Sequence, residues 1–257
     1  MITAGMDMGS KFVKVVIVKD DAVVGKASEG TGFEPTAAAA RCLEAAAQAS
    51  GINVSSIDHI TATGAGRKAA PGANSDITDV GAAAKGMASL RPEVRTVIDI
   101  GAEEGRGIKV DGSGKVLDFA VNEKCAAGAG AFAEAMARAL EVSLEEFGKI
   151  SLQSDKSIPM NAQCAVFAES EVVSLVHAKT PKPDIAKAVH DAIASRIVSM
   201  IRRVGIEEAI ALVGGLAYNP GFVDALNRGL ESEVFIPADP EYTGALGAAL
   251  VAGERNK

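Results

Sequence analysis

The chain has 257 residues, 48% of them hydrophobic, with eight Phe, two Tyr and no Trp, and a net charge of −7 at pH 7. Its length suffices for one large domain or two modest ones, and an acidic chain without basic tracts is a poor nucleic-acid binder, because neutralising phosphates takes clustered Lys and Arg. No apolar run reaches the roughly 18–20 residues that span a bilayer, and the opening MITAGMDMGSKF has an acid among its first ten residues and no apolar signal core, so neither a membrane nor export is expected and the location read is cytoplasmic.

In chain order, Gly5-Met-Asp-Met-Gly-Ser10 leads into the apolar run FVKVVIVKD, a turn at Asp20-Asp21 and the strand AVVGKA. A helix from Pro35 to Ala49 follows, with proline in its first turn. INVSSIDHITATGAGR gives a strand and a glycine turn, and DITDVGAAAKGMASL a helix. From Val97 the opening pattern returns: Val97-Ile-Asp-Ile-Gly101-Ala-Glu-Glu leads into GIKV, a turn at Asp111-Gly-Ser-Gly114, the strand KVLDFAV and a helix from Ala126 to Leu140. Each copy is a strand ending in Asp-x-Gly, a sharp turn, a second strand, a tight hairpin, a third strand and a helix. With Asp7 and Asp99 standing 92 residues apart, the copies predict an α/β protein of two similar lobes, 1–93 with 239–257 and 94–238. Helices at about Ala165 to His177 and Pro183 to Val204, the strand AIALVGG, a helix from Pro220, the strand EVFIP and a closing helix from Thr243 to Ala252 complete the chain. With 47 Ala and 27 Gly, the helices are expected to pack closely on small side chains.

The two Asp-x-Gly turns are the first candidates for chemistry. A hairpin turning at Gly9-Ser10 exposes consecutive backbone N–H groups, and without a Cβ at Gly9 a phosphate can approach them closely. Asp7 at the strand end is placed to hold Mg²⁺ directly or through water, with Lys11 and Lys14 adding positive charge. Asp99 and Gly101, with Ala102, repeat the arrangement and add Glu103 and Glu104, one of which is suited to orient an attacking water. A third turn, Val213-Gly-Gly-Leu-Ala-Tyr-Asn-Pro-Gly221, lets backbone at Gly214 and Gly215 lie flat against a nucleoside. There is no G-x-x-x-x-G-K-[ST] loop, and Thr63-Gly-Ala-Gly66 lacks the third glycine of a dinucleotide fingerprint, so it reads as a turn with Gly64 and Gly66 near the ligand as the alternative.

Three cysteines are too few for a disulfide framework and leave one over in any pairing. Cys125, in Asn122-Glu-Lys-Cys-Ala-Ala-Gly-Ala-Gly130, and Cys164, in Met160-Asn-Ala-Gln-Cys-Ala-Val-Phe, both directly precede helical patterns. Helix N-termini favour thiolates and the anionic iron–sulfur clusters that thiolates bind. A 4Fe–4S cluster takes four thiolates, so a cluster here is shared with a second chain; the competing reading is two inert small core residues. Cys42, within AAAARCLEAAAQ, reads as packing.

Three nucleotide turns in this order on a duplicated scaffold resemble the actin, Hsp70 and sugar-kinase ATPase superfamily over essentially the whole chain, which implies a nucleotide cleft between the lobes. KCAAGAGAF, CAVFAESEV, the DxGSxxxK turn, the VGG turn and the closing TGALGAAL together resemble the ATPase family of 2-hydroxyacyl-CoA dehydratase activators and benzoyl-CoA reductase ATPase subunits. The resemblance implies ATP and Mg²⁺ as ligands and a 4Fe–4S cluster held by Cys125 and Cys164 together with a related chain. It also places Asp7, Gly9, Ser10, Lys14, Asp99, Gly101, Gly214 and Gly215 at the nucleotide. Two departures stand out: activators carry Gly-Gly-Gln-Asp where this chain has Gly101-Ala-Glu-Glu104, and Thr where it has Lys11. The GAEEGR form resembles the smaller, D-type subunit of ATP-dependent benzoyl-CoA reductase. That implies a heterotetramer with a larger homologous ATPase subunit and two CoA-ester-binding subunits, fed by ferredoxin, and puts Glu103 in the place of the activator glutamine.

The alternatives are the homodimeric dehydratase activator within the same family, a sugar or acetate kinase-like phosphotransferase without a cluster, and a nucleotide-gated assembly module. His59, His177 and His190 form no metal spacing, and Glu141, Glu145 and Glu146 read as the cap and solvated face of a short helix. Glu169 and Glu171 read either as a solvated face or as a contact to the nucleotide.

Overall fold

The computed structural model describes residues 1–122, 130–160 and 165–255; Cys125 and Cys164, the expected cluster ligands, lie outside the described residues. The chain divides into two compact units, Met1–Val97 with Val110–Leu117 and Pro237–Lys257, and Ile98–Lys109 with Asp118–Ile236.

In the first unit β1 (Ile2–Met8), β2 (Phe12–Lys19), β3 (Ala22–Gly30), β4 (His59–Thr63) and β5 (Ser75–Asp76) form a sheet in the order β3-β2-β1-β4-β5. β1 runs antiparallel to β2 and parallel to β4. The run FVKVVIVK is apolar at nearly every position because β2 is buried on both faces, as a strand between two helical layers must be. Val13, Val15 and Ile17 pack with Ala38, Cys42, Leu43 and Ala46 of α1 (Pro35–Ser50), while Val16 and Val18 pack with Ala245 and Ala249 of α8 (Thr243–Arg255). α8 lies so close to β1 that a Cβ on Gly5 would overlap the Ala245 carbonyl oxygen, and Gly247 stands as close to the Ala82 carbonyl of α2 (Asp79–Leu90). The small side chains thus let helix and sheet backbones touch, where larger ones would force them apart.

The second unit holds β6 (Thr96–Ile100), β7 (Gly105–Val110), β8 (Val116–Asn122) and β9 (Ile210–Val213), ordered β8-β7-β6-β9, although the ends of β6, β7 and β8 are assigned to the first unit. Its helices are α3 (Gly130–Ala139), α4 (Leu144–Ser151), α5 (Ala165–His177), α6 (Lys182–Val204) and α7 (Pro220–Leu230). Their core joins Ile98 and Ile100 to Phe132, Met136, Phe147, Ile193, Leu212 and Phe222. The expected strand EVFIP shrinks to one parallel bridge. The Phe235 N–H donates to the Ile210 carbonyl at 2.8 Å, and the Phe235 carbonyl accepts from the Leu212 N–H at 2.9 Å. Pro237 has no N–H with which to continue the ladder. Beyond the three strands legible as a repeat, each copy has a fourth, β4 beside β1 and β9 beside β6.

Candidate functional site

Asp7 sits near the end of β1, directly opposite Lys14 in the β1–β2 register. The Lys14 Nζ donates to Asp7 Oδ2 at 2.5 Å, and the two side chains are 15% and 17% exposed. On its other side Asp7 pairs with Thr63 of β4. The next residue, Gly64, has φ +89°, and a Cβ there would stand 2.6 Å from Asp7 Oδ1 and 2.7 Å from the Met8 carbonyl. Only glycine takes that backbone conformation without cost and without striking the carboxylate. A Cβ on Gly9 would likewise come 2.6 Å from the Phe12 carbonyl. Ser10 and Lys11 are exposed, and the Lys11 Nζ stands 5.8 Å from the Phe12 ring centroid. Of the residues expected at the first turn, the fold therefore gathers Asp7, Gly9 and Lys14, while Lys11 lies over Phe12.

The second turn repeats this with different side chains. Arg106 of β7 donates from Nη1 to Asp99 Oδ2 at 3.0 Å and from Nη2 to Glu104 Oε2 at 2.6 Å, with its own side chain 13% exposed. The Gly101 amide donates to the Glu104 carbonyl at 2.9 Å and closes the turn. Gly214, with φ +87°, takes the place of Gly64: a Cβ there would overlap the Ile100 carbonyl oxygen and stand 2.9 Å from Asp99 Oδ1. Gly215 faces open space. Glu103 is exposed and makes no hydrogen bond or ion pair among the described residues, whereas Glu104 is held through both its carbonyl and its carboxylate. Arg106 escaped the sequence reading, yet its signal was present: Asp7 to Lys14 and Asp99 to Arg106 share one spacing of seven.

What these turns can do follows from their donors. Among the described residues the amides of Gly9, Ser10, Ala102 and Glu103 have no acceptor in the protein, and consecutive outward N–H groups at a bare glycine form a concavity suited to a phosphate. Within each unit a cation neutralises the strand-end Asp, so an incoming anion does not meet an unscreened carboxylate. No group of three or more His, Cys, Asp or Glu side chains is placed to hold a metal among the described residues. A hard cation at such a turn would therefore share its coordination with phosphate oxygens and water, the usual habit of Mg²⁺. The carbonyls of Gly101 and Ala102 accept from the Gly130 and Ala131 amides at 2.9 and 2.8 Å, which fastens the second turn to the start of α3.

A family model described as the BadF/BadG/BcrA/BcrD ATPase family matches residues 4–252. The chain belongs to this family. Among family relatives, the activator of lactoyl-CoA dehydratase from Anaerotignum propionicum is 39% identical, covering 99% of this chain and 98% of its own length. The 2-hydroxyisocaproyl-CoA dehydratase activator from Clostridioides difficile is 38% identical, covering 100% and 97%. The D-type subunit of benzoyl-CoA reductase from Thauera aromatica is 32% identical, covering 100% and 94%. The solved structure of the activator of the 2-hydroxyisocaproyl-CoA dehydratase from Clostridium difficile with bound ADPNP superposes with a TM-score of 0.93 at 37% identity, covering 100% of this chain and 96% of that one. This BadF/BadG/BcrA/BcrD chain thus has the two-lobe α/β ATPase fold of the actin, Hsp70 and sugar-kinase superfamily, as its duplication predicts.

Cys42, His59 and His190, also singled out in the sequence, have structural partners. Cys42 is buried, its thiol donates to the Val13 and Ala27 carbonyls at 3.6 and 3.4 Å, and burial pushes its pKa up to about 11. His190 is buried against the Phe147 ring, 4.5 Å between centroids, and its Nδ1 pairs with the Ala186 carbonyl at 2.7 Å; burial pushes its pKa down to about 4. The His59 Nε2 pairs with Ser75 Oγ at 3.0 Å. On α5, Glu169 is exposed and Glu171 half-buried. No helix among the described residues is long and apolar enough to cross a membrane.

Proposed function

We propose that this chain is the ATP-hydrolysing activator of a 2-hydroxyacyl-CoA dehydratase, working as a homodimer that passes a low-potential electron to a separate dehydratase. The observation that carries the proposal is the 38–39% identity to two dehydratase activators along the whole chain, against 32% to the reductase subunit. The Gly101-Ala-Glu-Glu104 turn favours the benzoyl-CoA reductase subunit instead, but it is a four-residue segment weighed against the entire sequence. The preference drawn from that turn is therefore reversed.

In this role the unclaimed amides at Gly9, Ser10, Ala102 and Glu103 bind phosphate oxygens, supported by an ADPNP-bound relative of the same fold. Lys14 and Arg106 hold Asp7 and Asp99 in place, Asp7 is the residue suited to the hydrated Mg²⁺, and the backbone at Gly214 and Gly215 lies along the nucleoside. Glu103, the unrestrained carboxylate of its turn, orients the attacking water. Cys125 and Cys164 would hold half of a 4Fe–4S cluster, which when bound supplies a one-electron reductant, and the same two cysteines of a second copy complete the four thiolates. Exposed apolar residues on the helix that follows Cys164, with Phe167 67%, Val176 43% and Val173 42% accessible, support a partner on that side.

The test is anaerobic purification with iron and EPR analysis. The reduced protein and ATP are then added to a purified 2-hydroxyacyl-CoA dehydratase. We expect a cluster and ATP-dependent dehydration. Cys125→Ser or Cys164→Ser should lose iron while keeping nucleotide binding. Isolation of the chain in a stable four-subunit complex that reduces benzoyl-CoA overturns the activator role in favour of the reductase, and a colourless protein that phosphorylates a small molecule overturns both.

A further inference from the structure

We propose that Thr63 is a binding residue for the divalent cation that accompanies the nucleotide, its hydroxyl standing with the Asp7 carboxylate on one face of the first sheet. This deepens the activator role and rests on that role's claim that the chain binds a metal–nucleotide.

Thr63 is 1% exposed, and its Oγ1 has no hydrogen-bond partner among the described residues. A buried hydroxyl without a partner is a cost that folds normally avoid. The other buried threonines avoid it. The hydroxyl of Thr3 donates to the Ala249 carbonyl at 2.9 Å, that of Thr31 to the Gly9 carbonyl at 2.8 Å, and that of Thr243 to the Pro240 carbonyl at 3.0 Å. Thr61, two residues back on the same strand and hence on the same face, pairs with Ser75 Oγ at 2.9 Å. Thr96 is also engaged.

Thr63 is the direct partner of Asp7 in the parallel β1–β4 register, so their side chains leave the sheet on the same face. Lys14 occupies Asp7 Oδ2, while Oδ1 lies beside the bare Cα of Gly64. A hydroxyl and a carboxylate oxygen are both hard donors of the kind that hold Mg²⁺ or its coordinated water. The duplicate copy shows that the fold does not require the hydroxyl: Val213 stands before Gly214 as Thr63 stands before Gly64, and it is equally buried at 1%.

The experiment uses the full chain with Thr63→Val, which keeps the shape and removes the oxygen, and Thr63→Ser, which keeps the oxygen. Three quantities are read: the melting temperature of the nucleotide-free protein, its affinity for ADP without metal, and the affinity of the ADP-loaded protein for Mn²⁺ by EPR titration. For Thr63→Val we expect an unchanged or raised melting temperature, ADP affinity within about 2-fold, and Mn²⁺ affinity weakened about 10- to 150-fold, the size of one lost hydrogen bond to a charged centre. Thr63→Ser should restore most of the Mn²⁺ affinity. Unchanged Mn²⁺ affinity in Thr63→Val, or a lowered melting temperature showing that the hydroxyl serves the fold, overturns the inference alone. Wild-type protein that binds no nucleotide overturns the activator role and the inference with it.

Discussion

The two copies of the repeat keep the same backbone and exchange the side chains upon it. Both place four strands in corresponding order, β3-β2-β1-β4 and β8-β7-β6-β9. Both end the fourth strand at a glycine of nearly equal φ, +89° at Gly64 and +87° at Gly214, set against the carboxylate of the strand-end Asp. Yet Asp7 is held by a lysine, a point charge on a flexible stem, while Asp99 and Glu104 share one planar guanidinium that fixes both. Ahead of the glycine, Thr63 in one copy is replaced by Val213 in the other. The copies thus share the main-chain geometry of the Asp-x-Gly turn and its facing glycine, and differ in the side chains that flank it.

The comparison breaks first at its glycines. Gly64→Ala and Gly214→Ala each add left-handed backbone strain and a Cβ pressed onto the neighbouring strand, so each should cost about 3–4 kcal/mol of stability, whereas Gly215→Ala, facing open space, should stay within about 0.5 kcal/mol. Urea denaturation of the three variants checks this, and equal costs at Gly214 and Gly215 would remove the equivalence drawn between Gly64 and Gly214. The next effect belongs to the second unit. Above pH 6.5 the imidazole of His190 is neutral in both folded and unfolded chains; as pH falls from 6.5 toward 4, the unfolded chain takes up a proton that the buried ring refuses. Stability is lost across that window and levels off below it, by about 3 kcal/mol. Asp191 and Asp224 oppose the shift, but burial outweighs them. Denaturation midpoints between pH 7.5 and 4 should fall less steeply in His190→Leu than in wild type. The smallest contrast lies between the cations: Arg106→Ala, which releases two carboxylates, should cost about 1–3 kcal/mol, and Lys14→Ala, which releases one, about 1 kcal/mol. Thermal melts that rank these two in the opposite order would show that bridging adds nothing.

The sequence made the duplication plain because each Asp-x-Gly turn lies within a local pattern of strand, turn and strand. It hid what depends on strands distant along the chain. Gly64 reads as an ordinary turn until β4 is laid beside β1, and the unpaired state of the Thr63 hydroxyl depends on every neighbour it fails to meet. Arg106 was overlooked although the spacing from Asp99 copies that from Asp7 to Lys14, because GAEEGR draws attention to its acids. EVFIP carries the composition of a strand, and only the partner geometry shows that one bridge is all Pro237 permits. The four residues Gly101 to Glu104 pointed toward a reductase subunit, a local signal outweighed by identity spread over the whole chain.

The hydrogen bonds from Gly130 and Ala131 to the carbonyls of Gly101 and Ala102 also set a mechanical limit. The second Asp-x-Gly turn cannot recede from α3 without breaking both of these hydrogen bonds. A shift of that turn, whatever its cause, therefore either carries the Gly130 end of α3 with it or gives up two backbone hydrogen bonds, about 1–3 kcal/mol together.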